Sequence, residues 1–306
     1  MQTMGNHTDL LELAARHGLE LRPEGLRLDE AGLDYRVAFA ADADGQRWVL
    51  RVPRRPDVSA KVADEKRILD FLAPPGGPAR LSVQIPRWEI ATPELVAYRL
   101  LPGAPGLTLD AGNGEPVLHF DPSSPAYLES FGRLVAELHA VSPEEAGAAG
   151  LVVETAEGIR DGWRRHLEEV RAEFRVAPAL VDAWTAWLED DAFWPEAPAF
   201  GHGELYPAHL LLDDDGRIVS VLDWTTAKVG DPALDFALHA MMATEDQFDA
   251  VVDAYRAAGG VEHPHLADRC HALAAAGPLN YGVFALVSGA EEHRATAQEL
   301  LDPPAR

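Results

Sequence analysis

The chain has 306 residues, 47% hydrophobic and 25% charged, and is expected to fold as one large globular domain or two lobes. Fifty Asp and Glu against 26 Lys and Arg give a formal net charge of −24, which argues against nucleic acid or an anionic membrane as partner. The acidic excess either attracts a cationic small molecule or only solvates the surface.

The single cysteine, Cys270, cannot form an internal disulfide, which favours a reducing cytoplasm. Within HLADRCHALAAA it is expected to be a packed core residue rather than a nucleophile. The N-terminal stretch MQTMGNHTDLLELAARHG lacks the apolar central region of a signal peptide. The later window LAAAGPLNYGVFALVSGA is broken by Gly, Pro and Asn, so we expect a core helix rather than a membrane span.

The first hundred residues alternate helix-like and strand-like segments. LLELAARHG predicts a helix that stops at Gly18, and YRVAFAAD and QRWVLRVP predict a hairpin around the turn DADG. KVADEKRILDFLA predicts a second helix, ended by PPGGP, and IPRWEI and ELVAYRLL predict two more strands. These segments together indicate a small antiparallel sheet carrying a helix, an α+β arrangement.

The segment 102–125 is rich in Gly and Pro and is the expected hinge between two lobes. Ser124 as N-cap and Pro125 at the first helical position then begin a strong helix. The rest of the chain favours helices, and its only strand signal is LLLDDDGRIVSVLDW, two apolar runs about a DDDG turn. We therefore predict a mostly helical second lobe with one hairpin.

The nine residues GHGELYPAH at 201–209 concentrate polar groups just before that hairpin. Because the hairpin returns the chain on itself, Asp223 at the end of its second strand is expected to share one cleft with His202, Glu204 and His209. Two carboxylates in such a cleft suit phosphoryl transfer. One accepts or orients the proton of the acceptor hydroxyl, and the other holds a Mg²⁺ ion that bridges nucleotide phosphates.

The string HGxLYxxHxLxDxxGxxxxVLDWxxAxxGDPxxDFA resembles the aminoglycoside phosphotransferase-like branch of the kinase fold, and most closely the macrolide 2′-phosphotransferases. Five other segments also resemble this narrower family, so the resemblance spans nearly the whole chain. They are ARHGLEL, GLDYRV, RWVLRVPRRPDVSAKV, ELVAYRLL and AYRAAGG. It implies a bilobal protein-kinase-like α+β fold. Residues 1–101 would form a small nucleotide-binding lobe with an antiparallel sheet, and residues 102–306 a larger, mostly helical catalytic and substrate-binding lobe.

For the nucleotide, the resemblance implies that Arg51 contacts the phosphates, where many kinases have Lys, and that Glu65 pairs with it. The alternatives are a solvated strand arginine and a surface helix glutamate, with Asp64 competing for the same role. Gly32 lies in EAGLDYRV, the implied turn over the phosphates. The implied hinge for the base is Tyr98, Arg99, Leu100 and Leu101, and the implied donor is GTP.

For catalysis, the resemblance implies that Glu204 activates the acceptor hydroxyl and that His209 and Asp223 hold Mg²⁺. His202 would brace the catalytic loop, or else be a buried structural histidine. The family's loop normally reads HGD, whereas here it reads HGE. The extra methylene of Glu204 changes the reach of the carboxylate by about 1.3 to 1.5 Å. Activity is therefore retained, reduced or lost.

Substrate contacts are less marked in the sequence. In GDPALD, Asp231 and Asp235 are expected to cap and anchor the next helix with Pro232 as its first residue, and Asp231 is also a candidate contact for a substrate amine. A large lactone needs an open apolar wall. The candidates for that wall, each equally open to a core role, are Met241, Met242, Tyr281 and Phe284, with His239 as a polar contact.

The leading hypothesis is a cytoplasmic, monomeric, antibiotic-resistance kinase that transfers the GTP γ-phosphate to the 2′-hydroxyl of a macrolide's amino sugar. One alternative is a kinase of the same fold acting on another hydroxyl, of an aminoglycoside or a metabolite. Another is a nucleotide-binding pseudoenzyme in which Glu204 has disabled the chemistry.

Overall fold

The computed structural model describes residues 7–30, 32–73, 80–110, 112 and 114–303. Packing divides the chain into two compact units that interleave along the sequence. The first comprises Met1–Ser130 and Pro207–Thr226, and the second Phe131–Tyr206 and Ala227–Arg306. The functional division that we place between residues 101 and 102 stays a prediction.

The N-terminal part of the first unit is a five-stranded antiparallel sheet of order β1-β2-β3-β5-β4. The predicted hairpin is confirmed, whereas β1 was not predicted because its sequence contains both Pro and Gly. The PPGGP motif lies outside the described residues. The elements are α1 (His7–Arg16), β1 (Leu21–Asp29), β2 (Tyr35–Asp42), β3 (Arg47–Pro53), α2 (Pro56–Leu72), β4 (Trp88–Ala91) and β5 (Val96–Arg99).

Alternation along β3 assigns its side chains to the two faces of this sheet. Trp48 and Leu50 belong to the core cluster that also contains Leu10 and Leu13 of α1. The next residue, Arg51, therefore points to the opposite face. On that face it meets α2.

The predicted C-terminal hairpin is also part of the first unit and is confirmed as β10 (Leu210–Leu212) paired with β11 (Ile218–Val221). The segment expected to be a hinge contains β6 (Ala104–Pro105), which pairs with β10, and the hairpin β7 (Leu107–Leu109) and β8 (Pro116–Leu118). A Cβ at Gly106 would lie 2.7 Å from Leu212 Cδ1. This glycine therefore serves close packing against β10, which composition alone did not distinguish from flexibility.

The second unit is mostly helical, as predicted. Its two strands pair antiparallel and were missed because three residues each are too few to show a pattern. Helix α3 begins at Pro125, as predicted, and runs from the first unit into the second. The elements are α3 (Pro125–His139), α4 (Pro143–Ala148), α5 (Ala156–Glu173), α6 (Pro178–Glu189), β9 (Ala199–Gly201), β12 (Lys228–Gly230), α7 (Leu234–Met242), α8 (Glu245–Ala257), α9 (Leu266–Ala275), α10 (Gly277–Ser288) and α11 (Glu291–Leu301).

Helices α9 and α10 cover the apolar window near the C-terminus. Over the described ranges, no single helix is long and apolar enough to cross a membrane; α9 and α10 reach that length and composition only as a pair bent by 45°. Cys270 lies buried in α9, and burial raises the pKa of its thiol to about 12. The thiol is therefore protonated, which suits the predicted core role better than nucleophilic chemistry.

A tight helix crossing in the second unit yields a stability prediction. A Cβ at Gly132 of α3 would lie 2.5 Å from the Val251 carbonyl oxygen and 2.7 Å from the Tyr255 amide nitrogen, both backbone atoms of α8. Gly132→Ala is therefore expected to lower the free energy of unfolding by about 1 to 3 kcal/mol, the usual cost of overpacking. Urea denaturation measures the difference.

Gly162→Ala in the interior of α5 is the matched control. Its nearest new contact is the flexible Arg165 guanidinium at 3.8 Å, so the helix propensity of Ala should stabilise by about 0.5 to 1 kcal/mol. Equal effects of the two substitutions would contradict the packing explanation.

A second stability prediction concerns His239, which lies in α7 with its ring centroid 5.0 Å from that of Phe131. Burial lowers the pKa of this imidazole from 6.5 to about 4. The unfolded chain therefore binds a proton more readily than the folded chain between these values, so stability is full above pH 6.5 and is lost as the pH falls toward 4. At pH 5 this group should cost about 2 kcal/mol.

The check is urea denaturation at pH 7 and pH 5 for the wild type and His239→Gln. The variant cannot take up this proton, so its loss of stability on acidification should be smaller. An identical loss in both proteins would show that His239 does not titrate in this way.

Candidate active site

Arg51 is held by ion pairs on the face of the sheet that α2 covers. Its Nη1 lies 3.2 Å from Glu65 Oε1 and its Nη2 lies 3.7 Å from Asp223 Oδ2, while its side chain is only 9% exposed. Burial alone would lower the pKa of the guanidinium, but the two carboxylates raise it, so Arg51 stays charged. The alternative of a solvated strand arginine is therefore wrong, and the predicted pairing with Glu65 is present.

Glu65 occupies a core position of α2. It falls on the stripe of buried residues at helical spacing formed by Val58, Val62, Leu69 and Leu72. Burial raises the pKa of its carboxyl, and Arg51 opposes that effect. Its Oε1 also accepts the Trp224 N–H at 3.3 Å.

The competing candidate, Asp64, is exposed and pairs with Arg67 at 2.7 Å on the surface of α2. A glutamate in register with apolar residues was the sequence signal that separates the two carboxylates.

Asp223 follows β11 in a left-handed backbone conformation, with φ of 59°. Such a conformation in a residue other than glycine is strained and is concentrated at functional sites. Its Oδ1 accepts a short hydrogen bond from the Thr225 hydroxyl, and its Oδ2 lies 4.0 Å from His209 Nε2. The Leu222 N–H donates to the His209 carbonyl at 2.8 Å, so the hairpin brings His209 and Asp223 together as expected.

A magnesium ion is the cofactor that the sequence implies at these two residues. Among the described residues no group of three or more His, Cys, Asp and Glu could hold a metal. In proteins Mg²⁺ is commonly held by one or two carboxylates together with phosphates and waters. Asp223 offers the oxygen that the ion prefers, whereas the imidazole of His209 is a softer ligand than Mg²⁺ usually takes.

The loop Gly201 to Glu204 belongs to the second unit and is fixed by Asp235 of α7. Asp235 accepts the His202 N–H at 3.2 Å and the Gly203 N–H at 2.6 Å. A Cβ at Gly201 would lie 2.7 Å from Asp235 Oδ2, and Gly203 has φ of +82°. One glycine therefore admits the carboxylate, and the other allows the turn.

His202 and Glu204 differ in exposure. His202 is fully buried, and its Nδ1 accepts the Glu204 N–H at 3.2 Å, which suits the predicted bracing of the loop. Glu204 is exposed to solvent, as an acceptor-activating carboxylate must be. Its convergence with Asp223 in one cleft stays a prediction.

The sequence did not indicate that Asp235 is the first member of a series of polar contacts between buried or partly buried side chains. His139 Nε2 lies 3.3 Å from Asp235 Oδ2, and His139 Nδ1 lies 3.1 Å from the Tyr255 hydroxyl, which in turn lies 3.1 Å from His263 Nε2. These residues come from α3, α8 and the segment before α9, so no local pattern connects them. Asp235 thus anchors the loop, not the following helix as predicted.

Asp231 forms a buried ion pair with Arg269 of α9 and accepts the Ala233 N–H at 2.9 Å. Burial raises the pKa of its carboxyl against the opposing effect of Arg269. This environment suits the predicted anchoring role, and a substrate contact for Asp231 stays a prediction. Helix α7 begins at Leu234, so Pro232 is not its first residue.

Two arginines directly after β3 form hydrogen bonds with the backbone of the implied phosphate turn. Arg54 donates to the carbonyls of Glu30 and Gly32 at 3.0 Å each, and Arg55 donates to the Leu33 carbonyl at 3.0 Å. Ala31 of this turn lies outside the described residues.

The implied hinge comprises the last two residues of β5 and the two residues that follow the strand. Tyr98 is buried within that strand, and burial raises the pKa of its phenol to about 12. The Leu100 N–H donates to the Arg47 carbonyl at 2.9 Å, so this donor is already engaged. Base recognition by Tyr98, Leu100 and Leu101 stays a prediction.

The predicted substrate wall divides into exposed and packed residues. Met241 and Met242 are 59% and 40% exposed at the end of α7, whereas His239 is 2% exposed. The Tyr281 hydroxyl lies 3.0 Å from His293 Nδ1, and the ring of Phe284 lies 4.9 Å from that of His293. Exposure suits a surface role for the methionines, and burial suits a core role for His239.

Comparison with known proteins identifies relatives that span the whole chain. The chain is 49% identical to macrolide 2′-phosphotransferase MphH from Brachybacterium faecium, with 98% of each chain covered and a TM-score of 0.88. It is 38% identical to a macrolide 2′-phosphotransferase type I, with 99% of each covered and a TM-score of 0.89. It is also 36% identical to the uncharacterized protein YcbJ of Bacillus subtilis (strain 168), over 96% of this chain and 95% of that protein.

The predicted aminoglycoside phosphotransferase-like, kinase-like fold is confirmed by these structural matches and by the family model. That model, for the phosphotransferase enzyme family, matches residues 25–271. The matched region contains the Arg51–Glu65 pair, the loop that carries Glu204, and also Asp223. The chain therefore belongs to the phosphotransferase enzyme family.

Proposed function

We propose that the protein is a macrolide 2′-phosphotransferase that transfers the γ-phosphate of GTP to the 2′-hydroxyl of a macrolide's amino sugar, and so confers resistance. The observation that carries the proposal is that two solved relatives spanning nearly the whole chain are macrolide 2′-phosphotransferases. The formal charge of −24 suits the protonated amine of such a sugar.

In this proposal each cluster has one task. Glu204 accepts or orients the proton of the acceptor hydroxyl. His202 and Asp235 hold the backbone of the loop that carries Glu204. Arg51, oriented by Glu65, contacts the nucleotide phosphates. Asp223, with His209, would hold a Mg²⁺ ion, which when bound neutralises charge on the phosphates.

The setting that we propose is the cytoplasm, with the protein as a monomer. GTP and Mg²⁺ are plentiful there, and the single, buried cysteine requires no oxidising compartment.

A substrate screen tests the reaction, the donor and the acceptor together. Purified protein with Mg²⁺ and GTP is expected to add one phosphoryl group to erythromycin-like macrolides, and mass spectrometry measures the product. ATP in place of GTP, and kanamycin-like aminoglycosides in place of macrolides, are the comparison arms. Phosphorylation of the aminoglycosides alone would replace the proposed acceptor, and an unmodified macrolide with either nucleotide would refute the proposal.

The replacement of the family's usual aspartate by Glu204 favours one second candidate, a nucleotide-binding pseudoenzyme. If Glu204 is the working base, Glu204→Gln should lower kcat about 10²- to 10⁴-fold while the KM for GTP changes little, because the amide cannot accept the proton. Glu204→Asp should retain more activity than Glu204→Gln. Steady-state kinetics measures both.

Glu196→Gln is the matched control, because Glu196 is another exposed glutamate just before the loop. It should leave kcat unchanged. Equal, negligible rates in the wild type and all three variants, with GTP still bound, would establish the pseudoenzyme.

A further inference from the structure

The central carbon of the Arg51 guanidinium lies over an aromatic ring, in addition to the two ion pairs that its nitrogens form. Its Cζ is 3.9 Å from the centroid of the Tyr35 ring. Val37 of β2 is directly opposite Arg51, so Tyr35 is the diagonal neighbour on the same face of the sheet. The register of one hairpin therefore creates the contact.

This contact is made by the ring of Tyr35 and not by its hydroxyl. Tyr35 is 4% exposed, and its hydroxyl oxygen has no hydrogen-bond partner among the described residues. A buried hydroxyl without a partner destabilises a protein, so hydrogen bonding does not explain the side chain. Stacking against Arg51 does.

Contacts to the nitrogens of a guanidinium and contacts to its faces restrain the group in different ways. Glu65 and Asp223 form ion pairs with two of its nitrogens, at 3.2 and 3.7 Å. These ion pairs restrain the positions of the two nitrogens. The ring of Tyr35 covers one face and so sets the tilt of the plane.

We propose that Tyr35 is a positioning residue that orients the guanidinium of Arg51 toward nucleotide phosphates. The inference rests on the proposed function, since it takes Arg51 as a phosphate contact. The ammonium group of a lysine at position 51 would not be planar, so Tyr35 could not orient it in this way. The proposed role of Tyr35 therefore depends on the arginine. The specific consequence is that the effects of changing Tyr35 and Arg51 are not additive.

The test is a double-mutant cycle on the affinity for Mg²⁺-GTP, measured by calorimetry. Tyr35→Leu is expected to weaken binding about 10-fold, the scale of a desolvated cation–π contact. In an Arg51→Lys background the same change should weaken binding less than about 3-fold. Tyr35→Phe keeps the ring and should bind within about 2-fold of the wild type.

Two further variants separate positioning from stability. Tyr35→Met, which has no ring but a longer and more adaptable side chain than Leu, replaces Tyr35→Leu if that variant does not fold. Phe39→Leu is the control, because Phe39 lies on the same strand under a different arginine, Arg27, at 5.2 Å. It should leave GTP affinity unchanged.

The outcomes separate the inference from the proposed function. A wild type that binds neither GTP nor ATP overturns both. A wild type that binds nucleotide overturns the inference alone if Tyr35→Leu binds as tightly, if the loss is the same in both Arg51 backgrounds, or if Tyr35→Phe is as weak as Tyr35→Leu.

Discussion

The buried ion pair between Arg51 and Glu65 is the constraint on which the first unit is organised. Each charge removed from water costs several kcal/mol, and loss of one partner from such a pair typically destabilises by about 3 to 5 kcal/mol. Three elements must therefore stay in register: β3 supplies Arg51, α2 supplies Glu65, and the chain after β11 supplies Asp223 and the Trp224 N–H. A hydrophobic pair would stabilise these elements as well, so the charges are explained by function more readily than by stability.

In the second unit a single carboxylate has the corresponding role. Asp235 satisfies two backbone N–H groups of the loop before Glu204, and Gly201 leaves the space for it. A carboxylate that accepts N–H groups forms stronger hydrogen bonds than a neutral acceptor. The residues His139, Tyr255 and His263 continue the polar contacts away from the loop, so the position of Asp235 is itself supported.

The sequence predicted those parts of the molecule that local pattern determines. Alternation and turn residues identified the β2–β3 and β10–β11 hairpins, and the second hairpin predicted that His209 and Asp223 lie together. The family resemblance identified Arg51 and Glu65. Interactions distant in the chain were beyond the reach of the sequence. Gly106 belongs to the segment that was expected to be a hinge, yet it serves close packing against β10. Asp235 was assigned to its own helix because its partners lie 32 and 33 residues away. Likewise, nothing local in the sequence placed Tyr35 against Arg51.

The anchoring of the loop bears on how a glutamate can work where the family normally has an aspartate. The N–H groups of His202 and Gly203 donate to Asp235, and the N–H of Glu204 donates to His202 Nδ1. These hydrogen bonds oppose a shift of the backbone that would compensate for the extra methylene of Glu204. In the proposed reaction the difference in reach falls to the side chain of Glu204, which is exposed. A longer side chain on a fixed backbone can fold back to shorten its reach, whereas a shorter one cannot extend. In the proposed reaction, the reach of Glu204 is therefore set by the conformation of its side chain and not by a shift of the loop.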